Sequence, residues 1–134
     1  MTKWITPARH AIYNINAAFK ALEEIDWRQR ANVEIGDIVY IYCSKPDQKV
    51  MYKAEVVGKD IAPENIIDDK EFWNDMNEYQ NAKYIPRYMR LRLMSQANRD
   101  ELALDKLVTY GLKCAPQGCR KVPDSLANYI DQYI

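Results

Sequence analysis

The sequence has no net charge, no long apolar run and only one histidine. Its 134 residues include 19 Lys and Arg and 19 Asp and Glu, and this balance argues against binding of polyanions through bulk charge. No stretch approaches the roughly 18 apolar residues of a membrane span, and the N-terminal segment lacks the apolar core of a signal peptide. No Gly-rich phosphate-binding loop is present either.

Cysteine is also sparse, and its spacing excludes two kinds of site. Cys43, Cys114 and Cys119 are odd in number, and no second pair accompanies the last two. A structural zinc site needs four ligands in paired spacings, and a disulfide framework needs an even number of cysteines. We therefore expect a reduced, cytoplasmic protein without a metal or a cofactor.

The residues needed for catalysis are almost absent. The one histidine, His10, has no identifiable nucleophilic partner, so a Ser-His-Asp or Cys-His centre is not predicted. Restriction-nuclease metal sites join carboxylates to a lysine in acidic-x-Lys spacing, but here Glu55 precedes Lys59 by four residues, so that spacing is missing. The sequence predicts a protein that is not an enzyme.

Composition and length favour one mixed α+β domain covering residues 1–134. Apolar residues make up 48% of the chain, and there are no repeats or linker-like tracts. The charge is segregated, because residues 60–80 contain seven acidic side chains and one lysine. That polar segment interrupts the pattern of strands and helices.

Hydrophobic periodicity predicts short elements that do not alternate regularly. The predicted strands are Trp4–Ile5 (stopped by Pro7), Ile38–Cys43, Val50–Val57 and Met89–Leu93, and the predicted helices lie near residues 12–22, 70–79, 98–108 and 123–133. Ile38–Cys43 is apolar on both faces, as a buried strand would be, and should pair antiparallel with Val50–Val57. The set suggests a small curved or barrel-like sheet with helices on its flank.

Aromatic residues with a polar tip are abundant and suggest a binding surface. The chain has 10 Tyr and 3 Trp but only 2 Phe. We place Trp27 in a short link after the first helix, where its flat face could stack on a nucleobase and the carboxylate of Asp26 could accept a hydrogen bond from an exocyclic amine. Trp73 and Tyr84 are candidates for the opposite wall of such a site.

Basic residues could contact the phosphates of a nucleic acid. The candidates are Lys53, Arg87, Arg90, Lys113 and Arg120.

Several segments together resemble an EVE domain of the PUA-like superfamily, to which YTH and ASCH domains are related. The segments are Trp4-Ile5-Thr6-Pro7, Ile25-Asp26-Trp27, the Gly-Asp-x-Val-x-x-Tyr-x-Ser pattern of residues 36–44, Val50–Val56 and Gly111–Arg120. The last of these is similar to the C-terminal part of EVE domains in modification-dependent restriction endonucleases. The resemblance spans nearly the whole chain.

The resemblance implies a PUA-like pseudo-barrel of about five to six strands with flanking helices. A pocket at one end of the barrel would hold a modified base flipped out of DNA: 5-methylcytosine, 5-hydroxymethylcytosine or N6-methyladenine. It would serve defence against modified foreign DNA, with an HNH or other nuclease domain as partner. By the resemblance, the pocket residues are Trp27, Asp26, Thr6, Pro7, Tyr42, Cys43 and Ser44.

Two other functions remain open from the sequence. One is an RNA-binding PUA-like domain, since RNA recognition also stacks exposed bases on aromatic side chains. The other is an ASCH-like enzyme acting on a nucleoside. That enzyme would require a lysine and a carboxylate in one pocket, for which Lys53 with Asp26 or Glu55 are the nearby choices.

Overall fold

A mixed six-stranded sheet organises the chain in a computed structural model that describes residues 1–134. The strands are β1 (Lys3–Ala8), β2 (Glu24–Arg28), β3 (Ile38–Cys43), β4 (Lys49–Ile61), β5 (Tyr88–Gln96) and β6 (Arg120–Lys121), and the helices are α1 (Ile15–Ala21), α2 (Met76–Asn81), α3 (Leu104–Thr109) and α4 (Asp124–Asp131). The strand order is β2-β5-β4-β3-β1-β6. Only the β1–β3 pair is parallel. The predicted mixed α+β fold, with five to six strands and flanking helices, is confirmed.

Strand β3 lies inside the sheet and separates two hydrophobic cores. All six of its residues are buried. Successive side chains of a strand point to opposite faces, so Val39, Ile41 and Cys43 enter the core on the α1 side, and Ile38, Tyr40 and Tyr42 enter the core on the α3 and α4 side. The predicted burial on both faces and the antiparallel pairing with β4 are confirmed. We call these two regions the first and the second core.

An ionic network fastens α4 to the second-core side of the sheet. The carboxylate of Asp131 accepts hydrogen bonds from Lys3 at 2.7 Å, Tyr40 at 2.7 Å and Lys53 at 3.0 Å. Partial burial acts to raise the pKa of Asp131, but these three hydrogen bonds outweigh it and hold the pKa below its ordinary value. Lys53 is therefore committed to an internal ion pair.

The structure places Pro7 and Trp27 differently from the sequence prediction. Strand β1 continues through Pro7 to Ala8, because its outer neighbour β6 pairs only with Trp4 and Ile5, and a residue without an N–H is tolerated at an unpaired edge. Trp27 lies on β2, opposite Met89 of β5, and not in a loop. The sequence of β2 does not predict a strand, because Asp26 is a charged residue that is buried on an edge strand.

The polar segment between β4 and β5 packs back against the first core. Besides α2 it contains 3₁₀ turns at Pro63–Asn65, Lys70–Phe72 and Ala82–Tyr84. Phe72 is buried in the first core, and Trp73 forms an isolated bridge with Tyr13. This segment therefore faces β2 across the aromatic end of the first core. None of the helices has the length and apolar character that would be needed to cross a bilayer.

Candidate functional site

A cavity of about 330 Å³ opens between β2 and the segment that precedes β5. Ligand pockets in proteins typically range from about 300 to 1,000 Å³, so this one suits a small flat molecule. Its lining residues are Thr6, Pro7, Ala8, Arg9, Ile12, Tyr13, Asp26, Trp27, Arg28, Arg30, Trp73, Glu78, Asn81, Ala82, Ile85, Tyr88, Gln117, Gly118 and Cys119.

Three aromatic rings form one end of the cavity. The ring of Tyr13 is buried and meets Trp27 with centroids 5.3 Å apart and planes at 83°, and it meets Trp73 at 5.2 Å and 85°. Both indoles are only half-buried, so part of each ring remains accessible. Edge-to-face contacts of this kind stabilise aromatic pairs beyond the area that they bury. We call Tyr13, Trp27 and Trp73 the aromatic wall.

Asp69 holds two members of this wall in place. Its carboxylate, which is 6% exposed, accepts a hydrogen bond from the Tyr13 hydroxyl and another from the Trp73 indole nitrogen, each at 3.0 Å. Burial is the main cause that raises the pKa of Asp69, although the hydrogen bonds from Trp73 and Tyr13 oppose the shift. A single buried carboxylate therefore determines the relative orientation of the two rings.

Replacing Asp69 with leucine is expected to disorder the wall, because the hydroxyl of Tyr13 and the indole N–H of Trp73 would both lose their partner. A buried polar group without a partner costs roughly 1–3 kcal/mol. Near-UV circular dichroism and urea unfolding measure the effect, and Asp69→Asn, which keeps one acceptor oxygen, is the milder control. The raised pKa of Asp69 also predicts a pH dependence, because the folded protein binds this proton more tightly than the unfolded chain does. The free energy of unfolding of the wild type, relative to that of Asp69→Asn, should therefore increase as the pH falls from the raised pKa to the ordinary aspartate value. An unchanged aromatic spectrum in Asp69→Leu would contradict this role.

The carboxylate of Asp26 is buried and held by three hydrogen bonds. The Nε of Arg90 donates to Oδ1 at 2.9 Å, a terminal nitrogen of the same guanidinium donates to Oδ2 at 2.9 Å, and the backbone N–H of Ile67 donates to Oδ2 at 2.7 Å. Asp26 alternates with Ile25 and Trp27 on β2, so its side chain points to the face of the sheet opposite the first core. The side chain is 1% exposed, so the amine of a base, which this carboxylate was expected to bind, could reach its remaining lone pair only if these partners moved.

The rim of the cavity carries positive charge. Arg9, Arg28 and Arg30 are exposed lining residues, and none of the three forms an ion pair. A guanidinium group without an internal partner can donate bidentate hydrogen bonds to a phosphate. The arrangement can therefore hold a flat ring inside and an anion at the mouth.

The predicted pocket residues divide into two groups. Thr6, Pro7, Asp26, Trp27 and Trp73 all line the cavity. Tyr42, Cys43, Ser44 and Tyr84 do not line it. Tyr42 points into the second core because of strand alternation, Cys43 is fully buried in the first core, Ser44 begins the turn after β3, and Tyr84 is 75% exposed on the outside.

Three of the five residues predicted to contact phosphates have internal partners, and two do not. Internal partners occupy three of the basic side chains: Lys53 binds Asp131, Arg87 binds Asp60 at 2.9 Å, and Arg90 binds Asp26. Lys113 and Arg120 are exposed and form no ion pair, but they lie outside the cavity lining.

Sequence reasoning missed Tyr13 and the rim arginines. The helix predicted from residue 12 onward begins only at Ile15, and the chain turns at residues 9–13, which brings Tyr13 against Trp27. Arg28 adjoins Trp27 in the sequence, and that adjacency was the one available indication of a basic rim. No group of three His, Cys, Asp or Glu side chains is arranged to hold a metal ion.

Solved structures resemble this chain over nearly its whole length. An ASCH protein from Zymomonas mobilis has a TM-score of 0.69 at 11% identity, covering 98% of this chain and 94% of that one. A Pseudomonas putida protein has a TM-score of 0.66 at 15% identity, with 97% of each chain covered. A Rhodopseudomonas palustris protein solved by NMR has a TM-score of 0.64 at 10% identity, covering 98% of this chain and 92% of that one.

These likenesses show the fold, which this chain shares with the ASCH protein from Zymomonas mobilis. No protein-family model matches the sequence, and no curated protein matches it either. The finer resemblance to EVE domains attached to HNH endonucleases stays a prediction.

Proposed function

We propose that this chain is a non-catalytic nucleic-acid-binding domain whose cavity holds one base extruded from the strand. The observation that carries the proposal is the half-buried Trp27 beside a cavity of about 330 Å³ with unpaired arginines at its mouth. An extruded base loses its stacking partners, and an aromatic wall replaces them. Arg9, Arg28 and Arg30 would contact the flanking phosphates.

The proposed ligand is a modified base in double-stranded DNA: 5-methylcytosine, 5-hydroxymethylcytosine or N6-methyladenine. A methyl group offers almost no hydrogen bonding, so it has to be distinguished by an apolar surface. The cavity offers such a surface in Pro7, Ala8, Ile12, Ala82 and Ile85. A domain of this kind would act in defence against modified foreign DNA, with a nuclease of the HNH or another class as its partner.

The chemistry of the lining supports binding without catalysis. The alternative nucleoside-processing enzyme needs a lysine and a carboxylate in one pocket, but the lining contains no lysine, and Lys53 and Glu55 pair with Asp131 and Arg92. Cys119 is a lining residue, and burial raises the pKa of its thiol to about 11, which keeps it protonated and weakly nucleophilic at neutral pH.

A binding array tests the proposal. Fluorescence anisotropy compares duplexes that differ only in one base (unmodified, 5-methylcytosine, 5-hydroxymethylcytosine or N6-methyladenine) together with single-stranded RNA, at several salt concentrations. We expect one modified duplex to bind about tenfold or more tightly than the plain one, in line with the contribution of a methyl-sized group in a fitted pocket. The salt dependence should be the same for modified and plain DNA, because the phosphate contacts do not sense the base.

Other outcomes of the array are equally informative. Equal affinity for all duplexes at every salt concentration would reject the modified-base proposal. Tighter binding of single-stranded RNA than of every duplex would replace it with RNA recognition on the same aromatic wall.

A further inference from the structure

Helix α2 presents two polar side chains to the cavity from the side opposite β2. Glu78 and Asn81 are three positions apart and therefore share one face of the helix, and both line the cavity. Asp75 caps the helix by accepting a hydrogen bond from the backbone N–H of Glu78 at 3.1 Å, which fixes the start of the helix and the position of Glu78 in its first turn. The same helix supplies no other lining residue.

Glu78 is the only carboxylate of the lining that is free to bind a ligand. The lining contains two acidic residues. The side chain of the other, Asp26, is 1% exposed and is held by hydrogen bonds from Arg90 and Ile67. The side chain of Glu78 forms no ion pair and accepts no hydrogen bond, although three arginines share the same rim. An unpaired negative group is thus placed at the mouth of an otherwise positive cavity.

We propose that Glu78, assisted by Asn81, selects bases that carry an exocyclic amine over thymine and uracil. A carboxylate only accepts hydrogen bonds, so it pairs with the amine of cytosine, adenine or guanine and is repelled by the carbonyl oxygen that thymine and uracil place there. The Asn81 amide both donates and accepts, and it can satisfy the ring nitrogen beside the amine. This inference rests on the proposed function, because it assumes that the cavity holds a base.

The test uses duplexes that carry a single unpaired nucleotide: cytosine, adenine, thymine or uracil, or an abasic residue. Fluorescence anisotropy measures the affinity of the wild type, of Glu78→Gln and of Glu64→Gln, an exposed carboxylate of the same acidic segment outside the cavity lining. In the wild type we expect cytosine and adenine to bind about tenfold more tightly than thymine and uracil, within the range of a base-edge contact. Glu78→Gln should reduce this ratio to about threefold or less, because the amide can also donate to a carbonyl oxygen.

The control variant and the abasic duplex distinguish a failure of the proposed base binding from a failure of the selection by Glu78. Glu64→Gln should keep the wild-type ratio. If the abasic duplex binds as tightly as the base-bearing ones, the proposed function itself fails. If binding requires a base but the wild type does not prefer amine-bearing bases, or if Glu78→Gln keeps the full preference, only the selection by Glu78 is overturned.

Discussion

Replacing Trp27 with alanine should weaken the binding of a base-bearing oligonucleotide by about 10- to 100-fold, because one aromatic–base stack contributes roughly 1–3 kcal/mol. Trp27 provides the part of the aromatic wall that belongs to the sheet, and it is a partly buried residue of the cavity lining. Anisotropy titration with the preferred duplex of the binding array measures the loss. Trp27→Phe keeps a smaller ring and should fall between the wild type and the alanine variant.

Tyr84→Ala is the matched control for Trp27→Ala. Tyr84 is an aromatic residue of the segment that faces β2, but it is 75% exposed and outside the cavity lining. Its removal should leave the affinity unchanged. Full affinity in Trp27→Ala, with the fold verified by circular dichroism, would remove the basis of the stacking proposal.

Replacing Asp26 with alanine should lower the free energy of unfolding by about 2–4 kcal/mol, because breaking a buried charge pair leaves its partner uncompensated. The side chain of Asp26 is 1% exposed, and the substitution would leave the guanidinium of Arg90 and the N–H of Ile67 without their acceptor. The 29% exposure of the Arg90 side chain allows partial rehydration and keeps the loss below the largest values for such pairs. Urea denaturation measures the change.

Glu34→Ala is the control for this pair. Glu34 binds Lys59 at 2.8 Å, but its side chain is 70% exposed, and such surface pairs contribute little to stability. Equal destabilisation by the two substitutions would contradict the structural role of Asp26. The ratio of cytosine to thymine binding should survive in Asp26→Ala at temperatures where the variant is folded, since the wild-type carboxylate is buried against Arg90 and Ile67 and is not accessible to a base.

The sequence predicted those elements whose burial follows a simple period. Strand β3 is apolar on both faces and is buried on both faces. Strand β4, its antiparallel neighbour, alternates apolar and polar residues and also alternates in burial. Strand β2 was not predicted, because the charged residue Asp26 in an edge strand resembles surface sequence although it is buried. Arg90, which pairs with Asp26, is 64 positions away in the sequence, and no local pattern reveals a pair at that separation.

The candidate site was predictable only in part, for the same reason. Trp27, Trp73, Thr6 and Pro7 do line the cavity. Tyr13 could not be placed, because its position beside the two indoles depends on a hydrogen bond to Asp69, 56 positions later. Long-range contacts of this kind belong to the tertiary structure and leave no periodic trace in the sequence.

The two sides of the cavity come from parts of the chain with different constraints. Thr6 and Trp27 belong to hydrogen-bonded strands, where a change of backbone would disturb the ladder. Trp73, Glu78 and Asn81 belong to a segment of short turns and one short helix, anchored by Phe72 and Asp69. A change in this turn segment would therefore alter the shape of the cavity while the strand ladder stays intact, and the fold itself is shared with solved structures at 10–15% identity.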